Sequence, residues 1–216
     1  MTVIRYGWGV VALACVLVSL GLGAAALVLL ALIFIIRAAK PTLIPTPTAY
    51  ATYTSLDRSF TCDEPAGWSK GEAGGDGGNA AGVYFKSGAA RIDVDGSLTG
   101  SLAGDMMRAA NALLPENRQR PPVEGLHLAG VNHMSEKYGD YDEQPMQTIQ
   151  TQLGEGRISE WTGTGGVMAG KLHGYRVTVL GGERLFTMNC RCPQRNWKVL
   201  EPSFMRVIHS VAAGSG

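Results

Sequence analysis

The chain has 216 residues, and its 19 lysine and arginine side chains nearly balance 18 aspartate and glutamate side chains. Residues 1–40 hold three basic residues and no acidic one, so that 16 basic and 18 acidic residues remain among the other 176. This balance argues against a strongly basic nucleic-acid-binding protein and a disordered acidic chain, and the length suits one sizeable core rather than two domains.

Residues 6–36 form a run of 31 residues without a charged side chain, between Arg5 and Arg37. As a helix this run would be about 46 Å long, whereas the hydrocarbon core of a bilayer is about 30 Å thick. The run therefore predicts one transmembrane helix over 6–36, preceded by a short flank at 1–5. A cleaved signal peptide is the alternative, although its apolar part usually spans only about 7–15 residues.

The flanking charges do not fix the orientation of this predicted helix, because one basic residue precedes it and two follow it. We expect a single-pass membrane protein whose soluble domain lies on the extracytoplasmic side. Small residues at Ser19, Gly21, Gly23 and Ala25 would allow two such helices to approach closely, as in a homodimer.

Residues 37–58 are predicted to be a linker, because 41–54 contain three prolines and five threonines but no charge. From 59 to 213 the pattern is that of one α+β domain. Alternating or β-branched runs predict strands, and apolar residues at helical spacing predict helices. The predicted strands are at 60–62, 83–85, 90–95, 157–161, 175–180 and 185–192, and the predicted helices begin at Ser101, Val123 and Pro202.

Two of these helices have an apolar side that the sequence defines clearly. In the first, that side holds Leu102, Met106, Ala109, Ala110 and Leu113. In the last, it holds Phe204, Val207, Ile208 and Val211. The order of strands and helices favours an antiparallel sheet flanked by helices.

Three short patterns within 59–213 resemble the PsbP-like superfamily, which includes a photosystem subunit and a Ran-binding protein of nuclear transport. They are Phe60 followed by Pro65-x-Gly67-Trp68, then Gly174-Tyr-Arg-Val-Thr178, and finally Trp197 followed by Phe204-x-x-Val-Ile-x-Ser210. The resemblance implies an α/β/α sandwich around a central antiparallel sheet. It also implies a binding or accessory module and carries over no catalytic residue.

Three cysteines lie in the predicted domain, and Cys15 lies in the predicted membrane helix. Cys190 and Cys192 are two apart on one strand, so a bond between them would be strained. Cys62 could pair with Cys190 or Cys192 if its strand were adjacent, and the alternative is three buried thiols. Too few further ligands at zinc spacing accompany them, and no metal or cofactor is predicted.

The remaining candidates for chemistry have simpler explanations. His127, His133, His173 and His209 form no local ligand motif, and Asp93-x-Asp95-Gly96 departs from a calcium loop at its sixth and twelfth positions. Asp93 and Asp95 alternate with Ile92 and Val94, which predicts an exposed strand face that ends in a turn. The acidic cluster 140–143 favours a solvated loop. No dense basic patch that would bind nucleic acid is present.

The favoured function is therefore non-catalytic protein binding or assembly by a PsbP-like domain that is anchored in a membrane. The alternative is a membrane-tethered enzyme whose active residues come from dispersed positions. Its candidates are either the 140–143 cluster or the three cysteines Cys62, Cys190 and Cys192, and it predicts a pocket with perturbed pKa values. A structural role in a larger complex predicts an exposed apolar patch instead.

Overall fold

The computed structural model describes Leu29 and residues 44–72, 80–97, 100–166, 170–181 and 184–214. The chain divides into two compact units, Met1–Thr42 and Leu43–Gly216. The predicted flank at 1–5 and, except for Leu29, the predicted membrane helix at 6–36 lie outside the described residues. Within the described ranges, no helix combines the length and the apolar character needed to cross a membrane.

The described part of Leu43–Gly216 contains two antiparallel sheets and three α-helices. The strands are β1 (Tyr50–Thr54), β2 (Phe60–Pro65), β3 (Ser69–Glu72), β4 (Ala80–Ser87), β5 (Ala90–Ser97), β6 (Gly139–Glu143), β7 (Gln147–Thr151), β8 (Gly154–Gly165), β9 (Gly170–Gly181), β10 (Arg184–Pro193) and β11 (Ala212–Ala213). The helices are α1 (Gly100–Ala112), α2 (Pro122–Lys137) and α3 (Trp197–Ser210). The small sheet has the order β1-β2-β11, and the large sheet has the order β3-β4-β5-β10-β9-β8-β6, with β7 also paired to β8.

The large sheet has one apolar face and one face that carries many polar side chains, because successive side chains of a strand point to opposite sides. In β5 the side chains of Ile92 and Val94 are fully buried in the main core, whereas Asp93 and Asp95 point to the other side. The predicted pairing of β4 with β5 and the predicted hairpin of β9 and β10 are both confirmed.

Helix α3 and the small sheet pack on the apolar face. Phe204, Val207 and Ile208 are completely buried, which confirms the predicted stripe of this helix. The helix begins at Trp197 rather than at the predicted Pro202, and Pro202 lies inside it. Helices α1 and α2 cover the polar face, so the predicted α+β class with a large antiparallel sheet is confirmed.

The folded unit begins earlier than the predicted linker boundary at residue 58. Strand β1 lies inside the predicted linker and pairs with β2 along its whole length. Tyr53 packs its ring 5.8 Å from that of Phe85, and Ile44 is buried in the main core. Tyrosine and threonine favour strands, and this preference outweighs the prolines that precede β1.

Helix α1 has the predicted apolar side, but that side faces solvent. Leu102, Met106 and Leu113, the last just beyond the helix, are 61%, 65% and 86% exposed. The helix instead turns its glycines to the sheet: a Cβ atom at Gly100 would lie 2.1 Å from the carbonyl carbon of Arg184, and one at Gly104 would lie 3.0 Å from Leu180. Close approach by glycine therefore decides which side of α1 is inward.

Candidate functional site

Two rows of polar side chains cross four strands on the face that α1 and α2 cover. From β5 through β10 and β9 to β8, the rows are Asp93, Asn189, Arg176 and Ser159, and Asp95, Thr187, Thr178 and Arg157. Paired residues of neighbouring antiparallel strands point to the same side, so each row is continuous. Polar side chains in such positions need partners once a helix covers them.

Helix α2 supplies those partners through His127, which is 1% exposed. Its Nδ1 atom lies 2.9 Å from Oγ1 of Thr178, and its Nε2 atom lies 2.9 Å from Oγ of Ser159. Arg176 donates from Nη1 to the His127 carbonyl at 2.6 Å and from Nη2 to Glu143 at 2.6 Å. We call these five side chains, His127, Glu143, Ser159, Arg176 and Thr178, the polar network.

The donors and acceptors of the polar network determine where its protons lie. An ionised carboxylate only accepts, so the hydroxyl of Ser159 donates to Glu143. The Ser159 oxygen then accepts from Nε2–H of His127, and Nδ1 accepts from the Thr178 hydroxyl. His127 thus cannot remove a proton from Ser159, which differs from a catalytic triad. The protons of Ser159 and His127 are therefore held in hydrogen bonds within the domain, and the Tyr141 hydroxyl also donates to Glu143.

The charges of the polar network agree with this reading. Burial by itself would raise the pKa of Glu143, but contacts with His127, Ser159, Tyr141 and Arg176 lower it to about 2. Burial lowers the pKa of His127, and Glu143 only partly opposes this effect. At neutral pH the network therefore contains an ionised Glu143, a charged Arg176 and a neutral imidazole.

A cavity of about 240 Å³ lies beside the polar network, between α2 and strands β5, β9 and β10. Leu126 and Met134 give it an apolar wall. Its titratable and charged lining residues are Asp93, Asp95, His133, Lys137 and Arg176. Burial and then Asp93 raise the pKa of Asp95 to about 6, although Lys137 and Arg91 oppose this rise.

The cavity contains the carboxylates that the sequence assigned to an exposed strand face. The alternation in β5 correctly put Asp93 and Asp95 on one side of the strand. No local pattern indicated that α2 would cover that side, because 24 residues lie between the end of β5 at Ser97 and the start of α2 at Pro122, and the two elements meet only in the tertiary structure. The polar residues that line up across β5, β10 and β9 would have indicated a covered polar face. They can be recognised only once the register of these strands is known.

The three cysteines of the domain lie in the main core, on the side of the large sheet away from α1 and α2. Cys62 is on β2 of the small sheet, whereas Cys190 and Cys192 are on β10 of the large sheet, so their strands are not neighbours. All three are buried and free in the structure. Burial raises the pKa of Cys62 and of Cys192 to about 12 and raises that of Cys190 further, so the thiols are poor nucleophiles. Mass mapping of the unreduced chain distinguishes a bridge from Cys62 from three buried thiols.

The acidic cluster 140–143 is a strand, β6, and not the predicted loop. Asp140 and Asp142 are exposed, while Glu143 enters the polar network. The cluster therefore contributes to structure through Glu143 and lies apart from the cysteines. The two groups proposed for a dispersed active site are not brought together.

The other histidines are also separated. His133 is at the cavity, His173 stacks on Trp197 with ring centroids 3.9 Å apart, and His209 contacts the carbonyl of Gln150. In the ranges that the structure describes, no three histidine, cysteine or acidic side chains are placed to hold a metal ion.

Comparison with known proteins gives a fold but no family. No protein-family model matches the chain, and no curated protein matches it. Among solved structures, the cyanobacterial PsbP (CyanoP) of Synechocystis sp. PCC 6803 is 12% identical, with 76% of this chain and 92% of that chain covered and a TM-score of 0.52.

Two further solved structures are less similar. The protein of unknown function PA94 of Pseudomonas aeruginosa is 11% identical, with 74% and 94% of the two chains covered and a TM-score of 0.41. LpqN of Mycobacterium tuberculosis, described as involved in cell envelope biogenesis, is 8% identical, with 79% and 82% covered and a TM-score of 0.33. The likeness to CyanoP shows that the domain has a PsbP-like fold.

Proposed function

We propose that this chain is a single-pass membrane protein whose PsbP-like domain serves non-catalytic protein binding or assembly, on the extracytoplasmic side. The observation that carries the proposal is the exposed apolar side of α1. We call Leu102, Met106 and Leu113 the α1 stripe. An exposed apolar stripe of this kind is typical of a surface that a protein partner covers.

The contrast between the two sides of α1 supports this role. Glycines allow the helix to lie directly on the sheet, so the stripe is not needed for packing within the domain. Leu128 on α2 is also exposed, at 44%. Large apolar side chains that are exposed without contributing to the core cost solubility, and burial against a partner would offset that cost.

Assembly through the α1 stripe is tested by sedimentation of the chain extracted from its native membranes in mild detergent. We expect the wild-type chain to sediment as a larger complex and the Leu102→Glu, Met106→Glu double variant to sediment as the chain and its detergent alone. Val199→Glu is the control, because Val199 is an apolar residue of α3 that is also more than half exposed. Identical sedimentation of wild type and double variant would overturn the role of the stripe.

Anchoring rests on the uncharged run at 6–36 and is tested separately. The full-length chain should stay in the membrane pellet after an alkaline carbonate wash, because a transmembrane helix is not extracted by removing surface charge interactions. Recovery of the full-length chain in the supernatant would refute anchoring. Protease protection in intact cells tests the extracytoplasmic position of the domain.

The cavity favours a second candidate, a membrane-tethered enzyme, because Asp95 has a pKa near the range useful for acid–base chemistry. Against it, the polar network withholds Ser159 and His127, and the cysteines lie in the other layer. Turnover by the purified chain that is lost in Asp95→Asn would establish this candidate.

A further inference from the structure

The α1 stripe recurs at the spacing that brings one helix against another. With Ala109, which is also exposed, its residues lie at positions 102, 106, 109 and 113, in steps of four, three and four. Alternating steps of three and four residues keep a row of side chains facing a second helix. The N–H of Leu113 bonds to the Ala110 carbonyl at 3.2 Å, so the turn continues beyond the last helical residue to the end of the row. The spacing therefore favours a helix as the partner.

The opposite side of α1 is already in contact with the rest of the domain. Gly104 is buried, and a Cβ atom there would lie 3.0 Å from Leu180 of β9. The sulfur of Met107 lies 2.8 Å from the position of a Cβ atom at Gly125 of α2. These contacts use the sides of the helix that border the sheet and α2. A second helix along the stripe therefore displaces neither of them.

Asp105 and Arg108 give one flank of the stripe both signs of charge. Both side chains are exposed, and they form an ion pair with each other on the surface of α1. An exposed pair of this kind contributes little to stability by itself. The flank as a whole is neutral, so it does not oppose the approach of a helix that carries the same two charges.

We propose that the partner of the stripe is α1 of a second copy of this chain, antiparallel to the first and related to it by a twofold axis between residues 107 and 108. A twofold axis sets the same surface of each copy against the other. Leu102 then faces Leu113 of the second copy. Met106 faces Ala109 of that copy. This inference rests on the proposed assembly role of the stripe and names its partner.

Side-chain size favours the antiparallel arrangement over a parallel one. A parallel pair would set Met106 against Met106 and Ala109 against Ala109, with crowding in one layer and a gap in the next. The antiparallel pair sets the small Ala109 against the long and flexible Met106, so the two central layers have equal volume. Layers of equal volume reach the packing density of a protein interior more easily.

The charges favour the same arrangement. With a rise of 1.5 Å per residue, Asp105 lies about 3 Å along the helix axis from Arg108 of the second copy and about 7.5 Å from its Asp105. The two Arg108 residues lie about 1.5 Å apart along this axis, but each is turned about 130° from the middle of the stripe. They therefore start on the outer edges of the pair, and each long side chain can reach the carboxylate of the other copy.

The contact is small, which decides where it is tested. A row from residue 102 to residue 113 is about 17 Å long and one helix, about 10 Å, wide. Stable complexes of soluble proteins bury about 800 Å² on each partner, which is more than such a row offers. Anchoring of both copies in one membrane raises their effective concentration and makes a small contact sufficient. The experiment is therefore made in the membrane.

The test uses full-length chains that carry two different affinity tags and are produced together in their native membrane. Cys15 is replaced by serine, so that the native cysteines that remain are the buried ones of the domain. One copy carries Met106→Cys and the other carries Ala109→Cys. Mild oxidation should join position 106 of one copy to position 109 of the other several-fold more often than 106 to 106 or 109 to 109. Val199→Cys, at an exposed position of α3, is the control and should give only background.

Charge reversal tests the same contact without relying on the ion pair within one helix. Asp105→Arg makes the flank of one copy wholly positive, Arg108→Asp makes it wholly negative, and each substitution removes the pair within its own α1. A positive copy mixed with a negative copy should cross-link at positions 106 and 109 at least as well as the unreversed chains. Two positive or two negative copies should cross-link several-fold less. Circular dichroism shows that each variant is folded.

Three results would overturn the proposal: cross-linking no higher than that of Val199→Cys, an excess of 106-to-106 over 106-to-109 cross-links, or equal yields in the three charge mixtures. The sedimentation experiment is read separately. A large complex that is lost in the double variant, without 106-to-109 cross-links, would show that another protein covers the stripe and would refute this inference alone. Identical sedimentation of wild type and double variant would refute the assembly role itself.

Discussion

The polar network makes the stability of the domain depend on pH through one carboxylate, Glu143. The substitution Glu143→Gln removes the negative charge and keeps the size of the side chain. Arg176, whose side chain is 7% exposed, then loses its counter-charge inside the protein. The hydroxyl of Ser159 and the imidazole of His127 keep their positions but face a neutral amide.

The magnitude follows from the pKa of Glu143. A fall from the ordinary value of 4.5 to about 2 corresponds to about 3 kcal/mol of folding free energy at neutral pH. Removing one partner of a buried ion pair typically costs about 3–5 kcal/mol, which agrees. For a domain of this size, 1 kcal/mol changes the melting temperature by about 2–4 °C, so we expect a decrease of about 6–12 °C.

The sign of the pH dependence is fixed by the lowered pKa. Stability from Glu143 is present above about pH 4.5 and is lost as the pH falls towards 2, where the folded carboxyl is protonated. Thermal unfolding of the full-length chain in detergent, followed by near-ultraviolet circular dichroism, measures this at several pH values. Wild type and Glu143→Gln should differ most at neutral pH and converge near pH 2.

The neighbouring residue provides the control for this experiment. Asp142→Asn removes an exposed carboxylate from the same strand and should change the melting temperature by little at any pH. A Glu143→Gln variant that is as stable as wild type at pH 7, or that stays less stable by the same amount at pH 2, would refute the reasoning.

Three further predictions concern other parts of the domain. Asp95→Asn should raise the free energy of unfolding by about 1–3 kcal/mol at pH 8 but not at pH 4, because the raised pKa of Asp95 makes its ionised form unfavourable in the folded domain. A variant that is less stable than wild type at pH 8 would contradict this. Gly174→Ala should lower the melting temperature strongly, because its Cβ would lie 2.2 Å from the carbonyl oxygen of Cys190. Gly166→Ala, whose Cβ would have no atom within 4 Å, should change the melting temperature little, and equal effects of the two substitutions would contradict this reasoning. Thiol reagents should label Cys62 and Cys190 in the denatured, unreduced chain but not in the native one, as measured by mass spectrometry; an unlabelled Cys62 after denaturation would indicate a bridge instead.

Local patterns predicted most of the elements of the domain, because they depend on neighbouring residues. The alternation of Ile92 and Val94 with Asp93 and Asp95 identified β5 and the two sides of the sheet. The spacing of Phe204, Val207 and Ile208 identified the buried side of α3. In each case one face of a single element meets a uniform apolar layer, and periodicity describes that situation well.

The same reasoning did not determine which side of α1 faces the sheet, and it did not predict the first strand. Apolar spacing in α1 predicted one side correctly but could not say that glycines would bring the other side onto the sheet. Tyr50 and Tyr53 stand in a region rich in proline, and pairing with β2 makes their segment a strand. Both outcomes depend on contacts with residues that are distant in the chain, so the composition of a segment does not determine them.

The sequence by itself determined the class of the fold, the alternation of the sheet and the location of the last helix, since these follow from hydrophobic periodicity and turn residues. Only the tertiary structure decided that Glu143 pairs with Arg176, that His127 closes the polar network, and that Asp95 shares a cavity with Lys137. These contacts depend on strand register and on the placement of α2. A one-residue change in the register of a strand would turn its polar side chains to the opposite face of the sheet.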